Sequence, residues 1–331
     1  MKKYVLGMDG GGTKTHCSIF DPEGNLIDLI SWGPTNHECL KGGYPELELE
    51  LGKLFSFALQ KNNMNMDQLG RCVFGLAGVD TKRQHGIVSG IIGGLGINDF
   101  ILCNDSYLGV KAGCEDGTGI CAINGTAFSV GGIDRKGNMF QTGGIGSIAG
   151  GDFGGGEYLA GKAMEAVYNS LFKGDHETCL TELFFEILKI NSKYDFVEAL
   201  KSVIDEGIYP YDFFNTLVFK AANRKDGVAL EILDKMGGEY ARCINAVINH
   251  LSFGRQENID VVLAGSIFVK GENAKAIERI MEDVLKKNGD RKITFKVLTA
   301  PPVAGAVLWA LEGLEDRKRI HEKVIKAFAE K

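Results

Sequence analysis

The amino-acid sequence predicts an α/β protein built from two similar domains that face each other across a cleft. Three observations lead to this fold class. Short β-like runs alternate with longer helical stretches, an early part of the chain repeats further on, and a glycine-containing turn occupies the same place in both copies. The length of 331 residues also corresponds to about two domains of ordinary size.

The first part of the chain reads as strands joined by helices. Apolar runs predict strands over 4–8, 14–20, 25–31, 71–76 and 100–103. Apolar residues recur at helical spacing over 45–61, and a second helix is expected over 82–95. Strands that alternate with helices in this way form a mainly parallel sheet covered by helices.

The later part of the chain contains a long helical stretch. Residues 157 to about 252 follow an almost wholly helical pattern. Strands resume over 259–264 and 293–298, with a helix near 272–287 between them and a helical tail from 303 onward.

These patterns predict where the domains begin and end. We expect a first domain over 1–114 and a second over 115–305, with 157–252 as a helical insertion. The boundary falls where glycines and an aspartate cluster at 113–117. The C-terminal helix of 306–331 is expected to pack back on the first domain.

An internal repeat supports two related halves. A shift of 113 residues superimposes 8–27 on 121–140 without a gap. Both copies read as strand, glycine turn, strand, Asp-x-x-Gly-Asn turn, strand, with Asp21 matching Asp134. Chance is the alternative, because Gly-Asn turns are common. Duplication is favoured because two separate turn signals coincide at one offset.

Composition and charge exclude several classes of protein. The chain has 45 glycines but only 6 prolines, with no three-residue period, so collagen and proline-rich linkers are excluded. The excess of glycine indicates many tight turns where backbone approaches a ligand. A net charge of −6 without a long basic run argues against nucleic-acid and anionic-membrane partners.

The cysteines and the N-terminus indicate a cytoplasmic protein. The eight cysteines are scattered without a C-x-x-C pair, which is typical of reduced and mostly buried thiols. Asp9 and the following glycines interrupt the apolar N-terminus, so no signal peptide is expected. No apolar run is long enough for a membrane span.

The first glycine turn is a candidate phosphate-binding loop. Gly10, Gly11 and Gly12 stand between two strands and expose backbone N–H groups with no Cβ in the way. The other candidate groups of the loop are the hydroxyls of two threonines, a cation and a strand-end carboxylate that could hold magnesium through water: Thr13, Thr15, Lys14 and Asp9. The loop is not a Walker A motif, because a strand follows it. A plain tight hairpin is the alternative.

The repeat supplies a second candidate loop, Asn124 to Ala127, in which Gly125 and Thr126 would contact the same phosphates from the other domain. An ordinary β-turn is the stronger alternative here, since only one glycine remains. The densest glycine stretch is 143–156. Within it, Gly144 opens a weak dinucleotide-like pattern, and Asp152 lies near a helix start as either a cap or a ligand.

Three further strand ends carry polar or small residues. Asp105 follows a parallel strand, where α/β proteins bind ligands, but this is also an ordinary helix-capping position. Asn36 and His37 follow the third strand, where either a polar turn or a hydroxyl-binding site is possible. Gly265 and Ser266 end a later strand, and small residues there could let adenine lie against backbone. A plain turn at the strand end is the alternative, and the motif taken alone favours it.

Taken together, these motifs resemble the superfamily of sugar kinases, heat-shock cognate proteins and actin. They are most similar to the N-acetylglucosamine kinase branch of the BadF/BadG/BcrA/BcrD ATPase family. The turns at 9–15 and 124–127 resemble its two phosphate motifs, 263–266 its adenosine motif, and 302–306 its closing glycine–alanine helix. The resemblance implies two duplicated actin-like (ribonuclease H-like) domains around a nucleotide-binding cleft.

The resemblance also implies roles for individual residues. It places the catalytic base on Asp105, a sugar contact on Asn36 beside His37, and a sugar-side loop on 143–152 that includes Gly144 and Asp152. It implies ATP and Mg²⁺ as cofactors, a small amino sugar as substrate, and a homodimer. The sequence departs from the family pattern at Ala127, at Ile145 and at Phe153, where glycine, an aromatic residue and glutamate are usual.

The expected activity is therefore ATP-dependent phosphorylation of an amino sugar at its 6-hydroxyl. N-acetylglucosamine is the first candidate and N-acetylmuramic acid a second, with glucosamine or glucose as the nearest alternatives. Two other classes remain open. One is an ATPase that activates a 2-hydroxyacyl-CoA dehydratase or a benzoyl-CoA reductase, and the other is a non-catalytic sugar sensor.

Overall fold

Two five-stranded sheets form the centre of the molecule. The computed structural model describes residues 3–143, 152–255, 257–313 and 317–330. In the first sheet the strand order is β3-β2-β1-β4-β5, with β1 to β3 antiparallel and β1, β4 and β5 parallel. Its strands are β1 Tyr4–Gly10, β2 Thr15–Phe20, β3 Leu26–Trp32, β4 Leu69–Leu76 and β5 Phe100–Cys103.

The second sheet repeats this arrangement strand for strand. Its order is β10-β9-β6-β7-β8, with the same antiparallel and parallel pairs. Its strands are β6 Gly119–Asn124, β7 Phe128–Ile133, β8 Met139–Gly143, β9 Ile259–Ala264 and β10 Ile293–Val297. The duplication inferred from the sequence is therefore present in the fold.

The second turn of each repeat is built by the same contacts. The Asp21 carboxylate accepts hydrogen bonds from the backbone amide of Asn25 at 2.8 Å and from its side-chain amide at 2.6 Å. The Asp134 carboxylate accepts the equivalent pair from Asn138, both at 2.9 Å. The Asp-x-x-Gly-Asn pattern recurs because aspartate and asparagine together close this turn.

The first turn of each repeat differs by one residue. Gly10 pairs with Thr15 across the first hairpin, which leaves a loop of four residues. Asn124 pairs with Phe128 across the second, which leaves only three. The ungapped alignment was therefore wrong by one residue along β1 and β6, because the second glycine loop is shorter.

Helices cover the sheets and form a large block inserted in the second half. Around the first sheet lie α1 Gly43–Lys61, α2 Lys82–Gly94 and α3 Ser106–Gly113. The inserted block contains α4 Gly155–Phe172, α5 Leu180–Leu188, α6 Phe196–Asp205, α7 Asn215–Asn223 and α8 Gly227–His250. The remaining helices are α9 Ser266–Lys270, α10 Lys275–Asn288, α11 Val303–Ala310 and α12 Arg317–Ala329. Short 3-10 turns occur at Met66–Gln68, Lys193–Asp195 and Tyr211–Phe214.

Two helices join the halves of the molecule. Helices α3 and α11 belong to a core cluster that contains buried residues of both sheets. Glycine allows this close packing. A Cβ on Gly7 of β1 would come within 2.8 Å of the Val307 backbone nitrogen, and a Cβ on Gly113 would come within 2.6 Å of the Val262 side chain. Helix α3, whose first turn follows Asp105, is thereby held firmly between the sheets.

All eight cysteines lie in the described part of the chain and are free thiols, as expected. Six of them are buried. Within the described ranges, no helix combines the length and apolar character needed to cross a membrane.

Candidate active site

A cavity of about 450 Å³ opens between the two sheets, at the carboxyl ends of their parallel strands. Its wall contains ten of the residues that the sequence singled out. These are Asp9, Gly11, Gly12, Thr13, Lys14, Asp105, Gly125, Thr126, Gly265 and Ser266. The rest of its wall is formed by residues 298–302 and by His16, Ile123, Val269 and Lys270.

The first glycine loop is shaped by the segment that packs behind it. The Gly11 amide donates to the Lys14 carbonyl at 3.0 Å, and the Thr35 amide donates to the Gly11 carbonyl at 3.1 Å. A Cβ on Gly12 would come within 2.7 Å of the Cys39 sulfur, and a Cβ on Gly10 would overlap Thr35. Gly10 is buried behind the cavity wall. None of these glycines has a positive φ. Glycine is needed here because other chain segments approach the loop closely.

The second glycine loop carries the start of the helical block. The Gly156 amide donates to the Gly125 carbonyl at 2.8 Å, and the Gly155 amide donates to the Asn124 side-chain oxygen at 2.9 Å. Gly155 has a φ of 88°, and a Cβ there would come within 2.9 Å of the Ala127 Cα. The second glycine loop and the N-terminus of α4 are therefore held together by these contacts.

The strand-end turn at Gly265 lies directly on the second glycine loop. Gly265 has a φ of 94°, a conformation that side-chain-bearing residues rarely adopt. A Cβ there would come within 2.5 Å of the Asn124 carbonyl carbon. Gly265 therefore fixes the distance between two walls of the cavity, and Ser266 begins α9 beside it.

Two carboxyl groups face the cavity from the first sheet. Asp9 stands near the end of β1, where burial raises its pKa to about 6 while the positive charge of Lys14 opposes the rise. Asp105 follows β5, and burial, together with the negative charges of Asp9 and Asp80, raises its pKa to about 7. Its side chain makes no capping hydrogen bond to α3. The Asn104 side-chain oxygen accepts from the Ser106 amide instead, at 2.9 Å.

A family model described as the BadF/BadG/BcrA/BcrD ATPase family matches residues 6–310, which is most of the chain. The chain belongs to the BadF/BadG/BcrA/BcrD ATPase family. The resemblance drawn from the sequence motifs is therefore confirmed, and ATP use follows from membership of this ATPase family.

This chain aligns with two curated relatives over most of their length. An N-acetylmuramic acid/N-acetylglucosamine kinase of Clostridium acetobutylicum is 27% identical over 268 residues, covering 80% of this chain and 85% of that protein. An N-acetyl-D-glucosamine kinase of Dictyostelium discoideum is 24% identical over 323 residues, covering 94% of this chain and 98% of the relative.

Solved structures agree on the fold. A Chromobacterium violaceum protein, solved as a candidate N-acetylglucosamine kinase, matches with a TM-score of 0.66 at 18% identity, covering 94% of this chain and 99% of that one. Other matching structures include sugar kinases with the actin-like fold. The expected pair of actin-like domains around a cleft is confirmed.

Two of the residues assigned to the sugar, Asn36 and His37, lie outside the cavity wall. Asn36 and His37 are both buried and pack against Gly78, which follows β4 with a φ of 79°. The Asn36 side-chain oxygen accepts from the Glu38 amide at 2.9 Å, and the His37 ring stacks on Tyr44 with centroids 4.1 Å apart. Burial lowers the pKa of His37, which favours a neutral ring.

The remaining sugar-side residues belong to the loop before α4. Gly144 lies outside the described residues. Asp152 is described, and its negative charge contributes to the raised pKa of Asp80. Asp152 and Asp80, from opposite halves of the protein, therefore lie within electrostatic range of each other.

Asp80 is a partly buried carboxyl group beside the candidate site that the sequence reasoning missed. Burial, with the negative charges of Glu38 and Asp152, raises its pKa to about 6 against hydrogen bonds that lower it. A usable signal was present in the sequence. Asp80 follows β4, which lies between β1 and β5, and the aspartates near the ends of those two strands were both recognised. The carboxyl ends of adjacent parallel strands meet at one edge of a sheet.

Proposed function

We propose that this chain is an ATP-dependent kinase that phosphorylates an amino sugar, N-acetylglucosamine first, at the 6-hydroxyl. One observation carries the proposal: a single cavity between the two halves gathers both glycine loops and the Asp105 carboxyl group. The names of the two curated relatives support the choice of an amino sugar.

The two glycine loops would hold the phosphates of ATP from opposite sides. Backbone N–H groups around Gly11 and Gly12, and those at Gly125 and Thr126, would donate to phosphate oxygens. The Lys14 ammonium would add a positive charge, and Gly265 and Ser266 would flank the adenosine. Phosphoryl transfer depends mainly on such positioning and charge neutralisation.

Asp9 is suited to hold Mg²⁺ through water. Magnesium commonly binds one or two carboxylates together with substrate phosphates and waters. The Asp9 carboxyl is partly buried beside a second carboxyl, and its pKa is raised to about 6, so a nearby cation would stabilise its charged form. Bound with the nucleotide, the ion would neutralise charge that develops on the phosphates.

Asp105 would act as the general base. Burial and neighbouring negative charges raise its pKa to about 7, close to the pH at which a base is most effective in the cell. Its carboxylate would accept the proton of the sugar hydroxyl as that oxygen attacks the terminal phosphate. The place of Asp105 directly before α3 gives the base a rigid support.

Asn36 and Asp152 would orient the sugar, with His37 and Gly144 beside them. Asn36 comes from the first half and Asp152 from the second, so a sugar between them would draw the halves together. Closure of this kind excludes water and favours transfer to the sugar over hydrolysis.

N-acetylmuramic acid is a second candidate substrate. One curated relative carries both sugars in its name. Directly after Asp152, where glutamate is usual in the family, this chain has Phe153, which is 40% exposed. The absence of that carboxylate lowers electrostatic repulsion of the lactyl carboxylate that distinguishes N-acetylmuramic acid.

A coupled assay of ADP release tests the proposal. Glucose, glucosamine, N-acetylglucosamine and N-acetylmuramic acid are each supplied with Mg²⁺ and ATP, and a reaction without sugar gives the background hydrolysis. We expect the N-acetylated sugars to give the highest kcat/KM, and phosphorus–carbon coupling in the NMR spectrum of the product to locate the phosphate on carbon 6. Background hydrolysis with all four sugars would refute the proposal.

A further inference from the structure

Asp80 lies in a loop whose backbone is fixed at both ends. The Ala77 amide donates to the Gly10 carbonyl at 2.8 Å, which ties the loop to the end of β1. The backbone amides of Asp80 and Thr81 both donate to the Gln84 side-chain oxygen, at 3.1 and 2.9 Å, within the capping box of α2. The backbone that carries the Asp80 carboxylate is therefore held in place by hydrogen bonds.

This carboxylate joins the two halves of the protein. One of its oxygens accepts hydrogen bonds from the side-chain amide of Asn104 at 2.9 Å and from that of Gln141 at 2.5 Å. Asn104 belongs to the first half and directly precedes the Asp105 base. Gln141 lies on β8 in the second half, just before the sugar-side loop.

A second bridge between the halves passes through the same asparagine. The side-chain oxygen of Asn104 accepts from the Ser129 hydroxyl on β7 at 3.2 Å, and from the Ser106 amide at 2.9 Å. Asn104 and Ser129 are 3% and 7% exposed, so water competes little for these bonds. The Asn104 side chain is thereby hydrogen-bonded to a carboxylate of its own half and to a hydroxyl of the other half.

We propose that Asp80 is a positioning residue that couples the second half of the protein to the catalytic base by linking Gln141 to Asn104. This inference rests on the proposed kinase function. It assigns Asp80 no contact with substrate. Through these bonds Gln141 and Ser129 hold Asn104 in a fixed place, and they fix Asp105 as well because it is the next residue.

The carboxylate is kept at this position although burial and two nearby carboxylates oppose its ionisation. The role needs a strong acceptor with two lone pairs on one oxygen, which an asparagine also offers. Conservative replacement should therefore rescue the function where truncation abolishes it.

The test compares kcat and KM in four variants of the full-length protein. Asp80→Ala and Gln141→Leu each break the link, and misplacement of the base should lower kcat by about 10- to 100-fold with the KM for ATP nearly unchanged. Asp80→Asn should retain kcat within about threefold of the wild type, because its oxygen still accepts both bonds. Gln84→Ala is the matched control: it weakens the cap of α2 and the backbone support of the loop but leaves the link intact.

A double-mutant cycle between Asp80→Ala and Gln141→Leu tests whether the two residues act through the same link. The double variant should be no slower than the slower single variant, because both changes remove the same link. Additive losses would overturn the inference, as would a Gln84→Ala variant whose kcat falls as far as that of Asp80→Ala. If the wild type phosphorylates none of the sugars, the proposed function fails. In that case the same double-mutant cycle is measured by the thermal midpoints of the variants. Additive shifts of the midpoint would then refute the link between Asp80 and Gln141.

Discussion

Replacement of Asp105 by asparagine should lower turnover and raise stability at the same time. The two side chains have nearly the same shape, so the substitution removes the charge and the proton-accepting ability with little change in packing. Loss of a positioned general base typically costs about 10²- to 10⁴-fold in rate. We expect kcat to fall in this range while the sugar still binds.

The gain in stability follows from the raised pKa of Asp105. Burial, with the charges of Asp9 and Asp80, raises this pKa from 3.8 to about 7. Because one pKa unit corresponds to about 1.4 kcal/mol, ionisation of this carboxyl destabilises the folded state by up to about 4 kcal/mol. The unfolded chain ionises near its usual value, so the penalty grows as the pH rises through the interval and is complete above pH 7.

Thermal unfolding at two pH values measures this effect. Protein free of metal and nucleotide is heated at pH 5 and at pH 8, beside Asp67→Asn, which removes an exposed aspartate far from the cavity. The Asp105→Asn variant should melt at higher temperature than the wild type, and the gain should be larger at pH 8 by about 3 kcal/mol in unfolding free energy. An equal gain at both pH values, or a variant that keeps a tenth of the wild-type kcat, would refute the reasoning.

Three further substitutions test the walls of the cavity. Gly265→Ala forces a positive φ on alanine and overlaps the Asn124 backbone, so it should lower the thermal midpoint and raise the KM for ATP. Gly125→Ala meets no described protein atom within 4 Å, so it should raise the KM for ATP without lowering the midpoint. Tyr240→Phe removes a 2.8 Å hydrogen bond from a buried hydroxyl to a β6 carbonyl and should cost about 1 kcal/mol of stability with little effect on KM. Gly86→Ala, on the exposed side of α2, serves as the control for added methyl groups.

The strands could be predicted from the sequence because their signals are local. The strand predicted over 100–103 has the bounds found for β5, and the long helical block was expected from its periodicity. The Asp-x-x-Gly-Asn turns were found because each is closed by side chains within five residues of one another. Local chemistry of this kind leaves a readable pattern in the chain.

Features that depend on distant segments were harder to find. The one-residue difference between the glycine loops shows only in the pairing of β1 with β2 and of β6 with β7. Asp80 was missed because its partners Asn104 and Gln141 lie far away in the sequence. Its position after a parallel strand was visible, but the same position is filled by ordinary capping residues in many proteins.

One feature of the first sheet accounts both for the raised pKa of Asp105, the proposed base, and for the cost of ionising it in the folded protein. Asp9, Asp80 and Asp105 stand near the carboxyl ends of β1, β4 and β5, which are neighbours in one sheet, so the parallel topology itself brings three carboxyl groups together. Burial raises the pKa of each one. A nucleotide bound with a divalent cation would relieve part of this repulsion, and the free energy released would add to the affinity of the closed form. In the proposed kinase, this charge arrangement would be unfavourable in the free protein and would favour closure around the ligand.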